Sequence, residues 1–146
     1  MSDSTTRETS SDAQSFRAAP PRYRRAIVLG AAVLTVISGL AVATLGSGFV
    51  ADAVGDGLYT VLVYLLIAAI APRLGPGKLA ALAFTASALI EFSQLTGIPA
   101  ALAQVIPASR WVFGSTFVGT DLAFYAIGAA AVAAVDTGVM RQLRRR

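Results

Sequence analysis

Apolar residues fall in four long runs, at about 26–45, 54–71, 79–96 and 120–136, separated by polar or Gly/Pro-rich breaks. Runs of about 17–20 residues match the hydrocarbon core of a bilayer, so each predicts a membrane-crossing helix. Pro72 stops the second run, because proline cannot donate to a helical ladder and disfavours helix at the residue before it. The turn that follows, residues 72–78 (PRLGPGK), makes the second and third helices antiparallel neighbours. Residues 46–55 are Gly-rich and read as a loop, which puts Asp56 in the first turn of the second helix. The longest connection, Gly97 to Thr120, contains a short segment opened by Pro99 and closed before Pro107, with Leu102, Val105 and Ile106 on one side. The pattern therefore predicts an all-α fold: an integral membrane four-helix bundle with a short interfacial helix in the loop between helices 3 and 4. Residues 22–140 form this one domain. Residues 1–21, rich in Ser, Thr, Asp and Pro, are expected to be a disordered cytoplasmic tail, and residues 141–146 a basic cytoplasmic tail.

Within the third run Ser87, Glu91 and Gln94 are spaced i, i+4, i+7 and share one stripe, opposite Ala, Leu, Ile and Phe. A carboxylate in hydrocarbon costs several kcal/mol, so an intramembrane Glu is kept where partners or a wet cavity receive it. Counting from Leu79, Glu91 sits roughly 18 Å into the span. Two further polar stripes start near the same membrane face, Asp56/Thr60 and Asp121/Tyr125/Gly128. The three are expected to converge, with Glu91 facing Asp121 or Tyr125 and Gly128 letting the fourth helix approach closely. An apolar span disfavours the ionised form, so Glu91 is expected to be neutral or to share a proton, donating to Tyr125 or to a ligand while Gln94 orients it. Simpler roles exist for the others. Asp121 and Asp56 can cap helix starts, Arg110 beside Trp111 can anchor at headgroup level, and a buried Glu91–Arg110 ion pair would be purely structural.

Composition sharpens the class. Hydrophobic residues make up 55% of the 146, charged residues 14%, and the mean hydropathy is +0.67, which excludes an ordinary soluble domain. The chain has no Cys and no His, so thiolate zinc sites, Cys nucleophiles, haem ligation and imidazole acid–base chemistry are absent. Asp56, Glu91 and Asp121 could hold Ca²⁺ or Mg²⁺ through oxygens, but their spacing demands no metal, and no cofactor is expected. Eleven of the twelve basic residues fall on the face of the termini and the 72–78 turn, Arg110 alone lying opposite. The positive-inside rule then makes this a multi-pass plasma (inner) membrane protein with both termini cytoplasmic. Arg22, Arg24, Arg25, the first apolar run and Ala41-Val42-Ala43 also resemble a signal peptide, but the run exceeds the usual length, which favours an uncleaved anchor. The terminal arginines are a topology signal, and no nucleic-acid partner is expected. Small-residue faces such as Gly39/Ala43 and Ala126/Ala130 are helix contacts within the chain or in a homo-oligomer.

Glu91-Phe-Ser-Gln94, then a loop of about twenty residues, then Gly114-x-x-Phe117 and Asp121-Leu-x-x-Tyr125-x-x-Gly128 form a pattern of polar residues at fixed places in otherwise generic spans. Together with Gly55-Asp56-x-Leu58, it resembles the small bacterial membrane family DUF2809 over residues 22–140. It is more distantly similar to VanZ-like proteins, linked to glycopeptide-antibiotic resistance, which share a Glu-x-x-Gln and a later Asp. This chain lacks the His of the VanZ-type first motif and has Tyr125 where that pattern has Asn. Neither resemblance implies a settled activity.

Three functions fit. One is an outward-facing intramembrane site binding an amphiphilic cell-envelope molecule, lipid-linked or antibiotic-like, through Asp56, Glu91, Gln94, Arg110, Asp121 and Tyr125. A second is a membrane enzyme with Glu91 and Asp121 as catalytic acid–base carboxylates. A third is a structural helical subunit of a larger complex. The first is preferred, because the chain shows no Ser–base pair, no His/Cys ligand set and no phosphate loop.

Overall fold

The computed structural model describes residues 21–144, and these form helices joined by short connections, with no strand among them. Most of the expected N-terminal tail and Arg145 and Arg146 lie outside the described residues. Three helices are long and apolar enough to cross a membrane: α1 (Pro21–Leu45), α2 (Gly48–Ile70) and α6 (Asp121–Arg144). The third of the expected spans differs. Helix α3 (Pro76–Gln94) qualifies only together with α4 (Ile98–Val105), which leaves it at 82°. Its Pro-Gly-Lys start and its Glu91 and Gln94 dilute the apolar run, and Gly97, in a left-handed turn at φ 72°, redirects the chain. A 3₁₀ turn at Pro107–Ser109 and the single turn α5 (Arg110–Phe113) then lead towards α6.

Helix α2 is the hub, packing against α1, α3 and α6, while α3 and α6 also pack on each other. Among the described helices, the backbone of α1 approaches only that of α2. The result is a three-helix core with a fourth helix at its side. Burial follows the spacing of the stripes: Leu79, Ala83, Ser87 and Glu91 on α3, Thr60, Tyr64 and Ala68 on α2, and Tyr125 and Ala129 on α6. Large apolar side chains such as Leu34, Ile37, Ile70 and Leu89 point outwards, as they do when the surroundings are lipid.

Two boundaries correct the sequence-based expectation. Helix α2 begins at Gly48, so the expected loop over 46–55 shrinks to Gly46 and Ser47, and Asp56 lies two turns inside the helix. Glycine weakens a helix by only about 1 kcal/mol, and the tertiary packing of α2 outweighs that cost. Capping therefore does not account for Asp56. Helix α6 runs on through Met140, Arg141 and Gln142, all good helix formers, so Arg141 and Arg144 belong to it rather than to a tail.

One end of the core is tied by a cluster that the sequence pattern did not single out. Asp136 Oδ2 accepts from Tyr64 Oη at 2.7 Å and from Arg24 Nη2 at 3.1 Å, and Arg24 Nη1 donates to the Pro72 carbonyl. Arg25 Nε adds a bond to the Ala69 carbonyl at 3.0 Å. These contacts join α1, α2, α6 and the α2–α3 turn. Eleven residues, or about 16 Å of helix, separate Asp136 from Tyr125, so the second polar centre lies well away along the bundle.

Candidate functional site

Glu91 is the centre of that second cluster and is 1% exposed. Its Oε1 accepts from the Val118 N–H at 2.6 Å, and its Oε2 accepts from Tyr125 Oη at 2.9 Å and Gln94 Nε2 at 3.2 Å. Three protein groups thus engage both of its oxygens. Arg110 does not supply the counter-charge: among the described residues the one ion pair within 4.0 Å is Arg24–Asp136. One turn further along α3, Ser87 accepts from Thr60 Oγ1 at 3.2 Å, both fully buried, which fixes α3 against α2.

The same groups hold down the segment before α6. Gln94 Nε2 also donates to the Phe113 carbonyl at 3.0 Å, and Tyr59 Oη donates to the Val112 carbonyl at 2.9 Å. With the Val118 N–H on Glu91, residues 112–118 are tied at three points to α2 and α3. Gly114 makes room for this, because a Cβ there would stand 2.4 Å from Gln94 Nε2, and its φ is +64°. On the other side Gly128 abuts Gly57, where an added Cβ would meet the Gly57 carbonyl oxygen at 2.4 Å. That contact brings α6 backbone to backbone with α2 and sets Asp121 beside Asp56.

Asp56 of α2 and Asp121 of α6 share the lining of the same cavities. No Lys or Arg among the described residues is within 4.0 Å of either. Both face two adjoining cavities of about 490 and 410 Å³, and Arg110 and Trp111 line both as well. The smaller cavity is lined by all six residues singled out from the sequence, Asp56, Glu91, Gln94, Arg110, Asp121 and Tyr125. Its remaining wall is mostly apolar, including Val36 and Leu40 of α1, Leu58 and Leu62 of α2, and Ile90 of α3. Gly39 leaves this wall shallow, with nothing within 4 Å of a Cβ built there.

The six do not play equal parts. Glu91 has its oxygens engaged inside the protein, and Tyr125 is buried on it. Asp56 and Asp121 are the carboxylates that remain open, and Arg110 is exposed. Sequence reasoning missed Tyr59, which follows Asp56 by three positions on α2, and the Val118 N–H, which no side-chain pattern can reveal. Asp136 was discoverable, since it continues the stripe Asp121, Tyr125, Gly128, Val132 at helical spacing.

No curated protein and no solved structure matches the chain. A family model does: that of the protein of unknown function DUF2809 matches residues 45–129, more than half of the chain. The matched span runs from the end of α1 through Ala129, and so takes in the whole Glu91 cluster, Asp56 and Asp121, and the Gly57–Gly128 contact. The chain thus belongs to the DUF2809 family.

Proposed function

We propose that the chain binds an amphiphilic cell-envelope molecule, with its polar head among Asp56, Asp121, Gln94 and Arg110 and its apolar tail along α1 and α2. The observation supporting this is the smaller cavity, which puts open charged groups at one part of its wall and Val36, Leu40, Leu58 and Leu62 along another. Pockets for small molecules commonly fall in this size range and combine an apolar lining with a few placed polar groups. In this reading Glu91 is a positioning residue. It holds Tyr125 and the 112–118 segment so that Arg110 and Trp111 stay over the cavity. The site opens to the outer face of the plasma membrane, with both termini cytoplasmic, in keeping with the basic-residue bias.

Native mass spectrometry of the protein extracted from its own membrane tests the binding. A retained amphiphile is expected, and Gly39→Leu should lose it, because the leucine fills the shallow wall without meeting any atom within 4 Å at its Cβ. Bare wild-type protein, or equal retention by the variant, would remove the proposal. Orientation is tested separately by labelling Asp52→Cys in this Cys-free chain, which should react only with reagent added outside.

A further inference from the structure

Building on the amphiphile reading above, we infer that the head group is zwitterionic, with a primary ammonium held by Asp56 and Asp121 and an anionic phosphate or carboxylate held by Arg110. Asp56 and Asp121 line the same two cavities without a basic partner within 4.0 Å among the described residues. Two carboxylates on one cavity repel when both are ionised, and a cation placed between them relieves that repulsion. Arg110 lines the same two cavities, is exposed, and makes no ion pair with either aspartate. Opposite charges sharing a cavity without joining each other match the two ends of a ligand that carries both signs.

The neighbouring groups narrow the chemistry. Asp52, on the larger cavity one turn before Asp56, adds further negative field on the ammonium side. Glu91 is buried, with both oxygens already engaged by three protein groups. Carboxylate oxygens accept hydrogen bonds, so the cationic end must bring N–H donors. A primary ammonium brings three and can bridge both aspartates, whereas a quaternary ammonium brings none. The apolar wall beside the charges then takes acyl or prenyl chain.

A defined lipid panel offered to delipidated protein in detergent, read by native mass spectrometry, tests this. Dioleoyl phosphatidylethanolamine should be retained about tenfold over both dioleoyl phosphatidylglycerol, which has no ammonium, and dioleoyl phosphatidylcholine, whose ammonium has no N–H. Free phosphoethanolamine should compete weakly, since it lacks the tail. Asp56→Asn with Asp121→Asn should erase the preference for phosphatidylethanolamine, and Arg110→Gln should weaken its retention while leaving that of oleylamine unchanged. Phosphatidylglycerol or phosphatidylcholine bound as well as phosphatidylethanolamine would overturn the primary-ammonium assignment and leave the amphiphile site standing. Retention of none of the lipids would overturn both. Should the double aspartate variant fail to fold, the wild-type panel alone decides.

Discussion

Replacing Glu91 by leucine removes the acceptor for the Val118 N–H and the Tyr125 hydroxyl, while Gln94 keeps the Phe113 carbonyl. Each buried donor left without a partner costs about 1–3 kcal/mol. Unfolded segments in a membrane also find partners, and interhelical hydrogen bonds there average about 0.6 kcal/mol, so the expected loss lies near the lower end, at about 2 kcal/mol. Glu91→Gln is milder. Its carboxamide oxygen still serves Val118, and its NH₂ turns the Tyr125 hydroxyl into an acceptor, leaving Gln94 Nε2 short of one contact, for a loss of about 1 kcal/mol. Tyr125→Phe should cost a similar amount, and the double variant less than the sum, because both delete the same bond. Unfolding in mixed micelles, followed by far-UV circular dichroism against detergent fraction, measures all four. A Glu91 that pointed to lipid would give the opposite sign, since exchanging a carboxylate for leucine in hydrocarbon stabilises. A neutral or stabilising Glu91→Leu would therefore refute the hub arrangement.

Gly128→Val should destabilise by about 1–3 kcal/mol, as overpacking does, because even a Cβ there meets the Gly57 carbonyl oxygen; the same unfolding titration reads it. Asp136→Asn should cost about 2 kcal/mol, less than the loss at a fully buried ion pair, since both side chains of the Arg24 pair are 18% exposed; it should leave ligand retention unchanged, because the cluster lies about 16 Å from the site. Gly114→Ala should push Gln94 from its seat, and hydrogen exchange of residues 112–118 should then rise while α2 stays protected.

Much of this was legible because hydrophobic length and helical spacing are local properties. The stripe Ser87, Glu91, Gln94 implied a buried polar face, and that face meets Tyr125. The number of crossing helices was less legible, since α3 falls short on its own and continues through an 82° bend that depends on a single left-handed residue. The start of α2 was misplaced because Gly-rich composition resembles a loop, whereas packing against α1 supplies the helix. The contacts of Glu91 with Tyr125 and Gln94 follow from the stripes, but the third could not be foreseen. That partner is a backbone N–H in a connecting segment, and its position depends on how Gln94 and Tyr59 fasten that segment. Arg24–Asp136 joins residues 112 positions apart, a distance at which no periodicity connects them.

Trp111 is the only tryptophan in the chain and lines both cavities, so its fluorescence reports on the site without a label. Stoichiometric addition of phosphatidylethanolamine with dibrominated acyl chains to the detergent-solubilised protein should quench it saturably at about one lipid per chain, as a single binding site requires. Gly39→Leu should abolish the saturable component. Quenching that rises without saturation, or is unchanged by Gly39→Leu, would contradict the claim that this cavity holds an amphiphile.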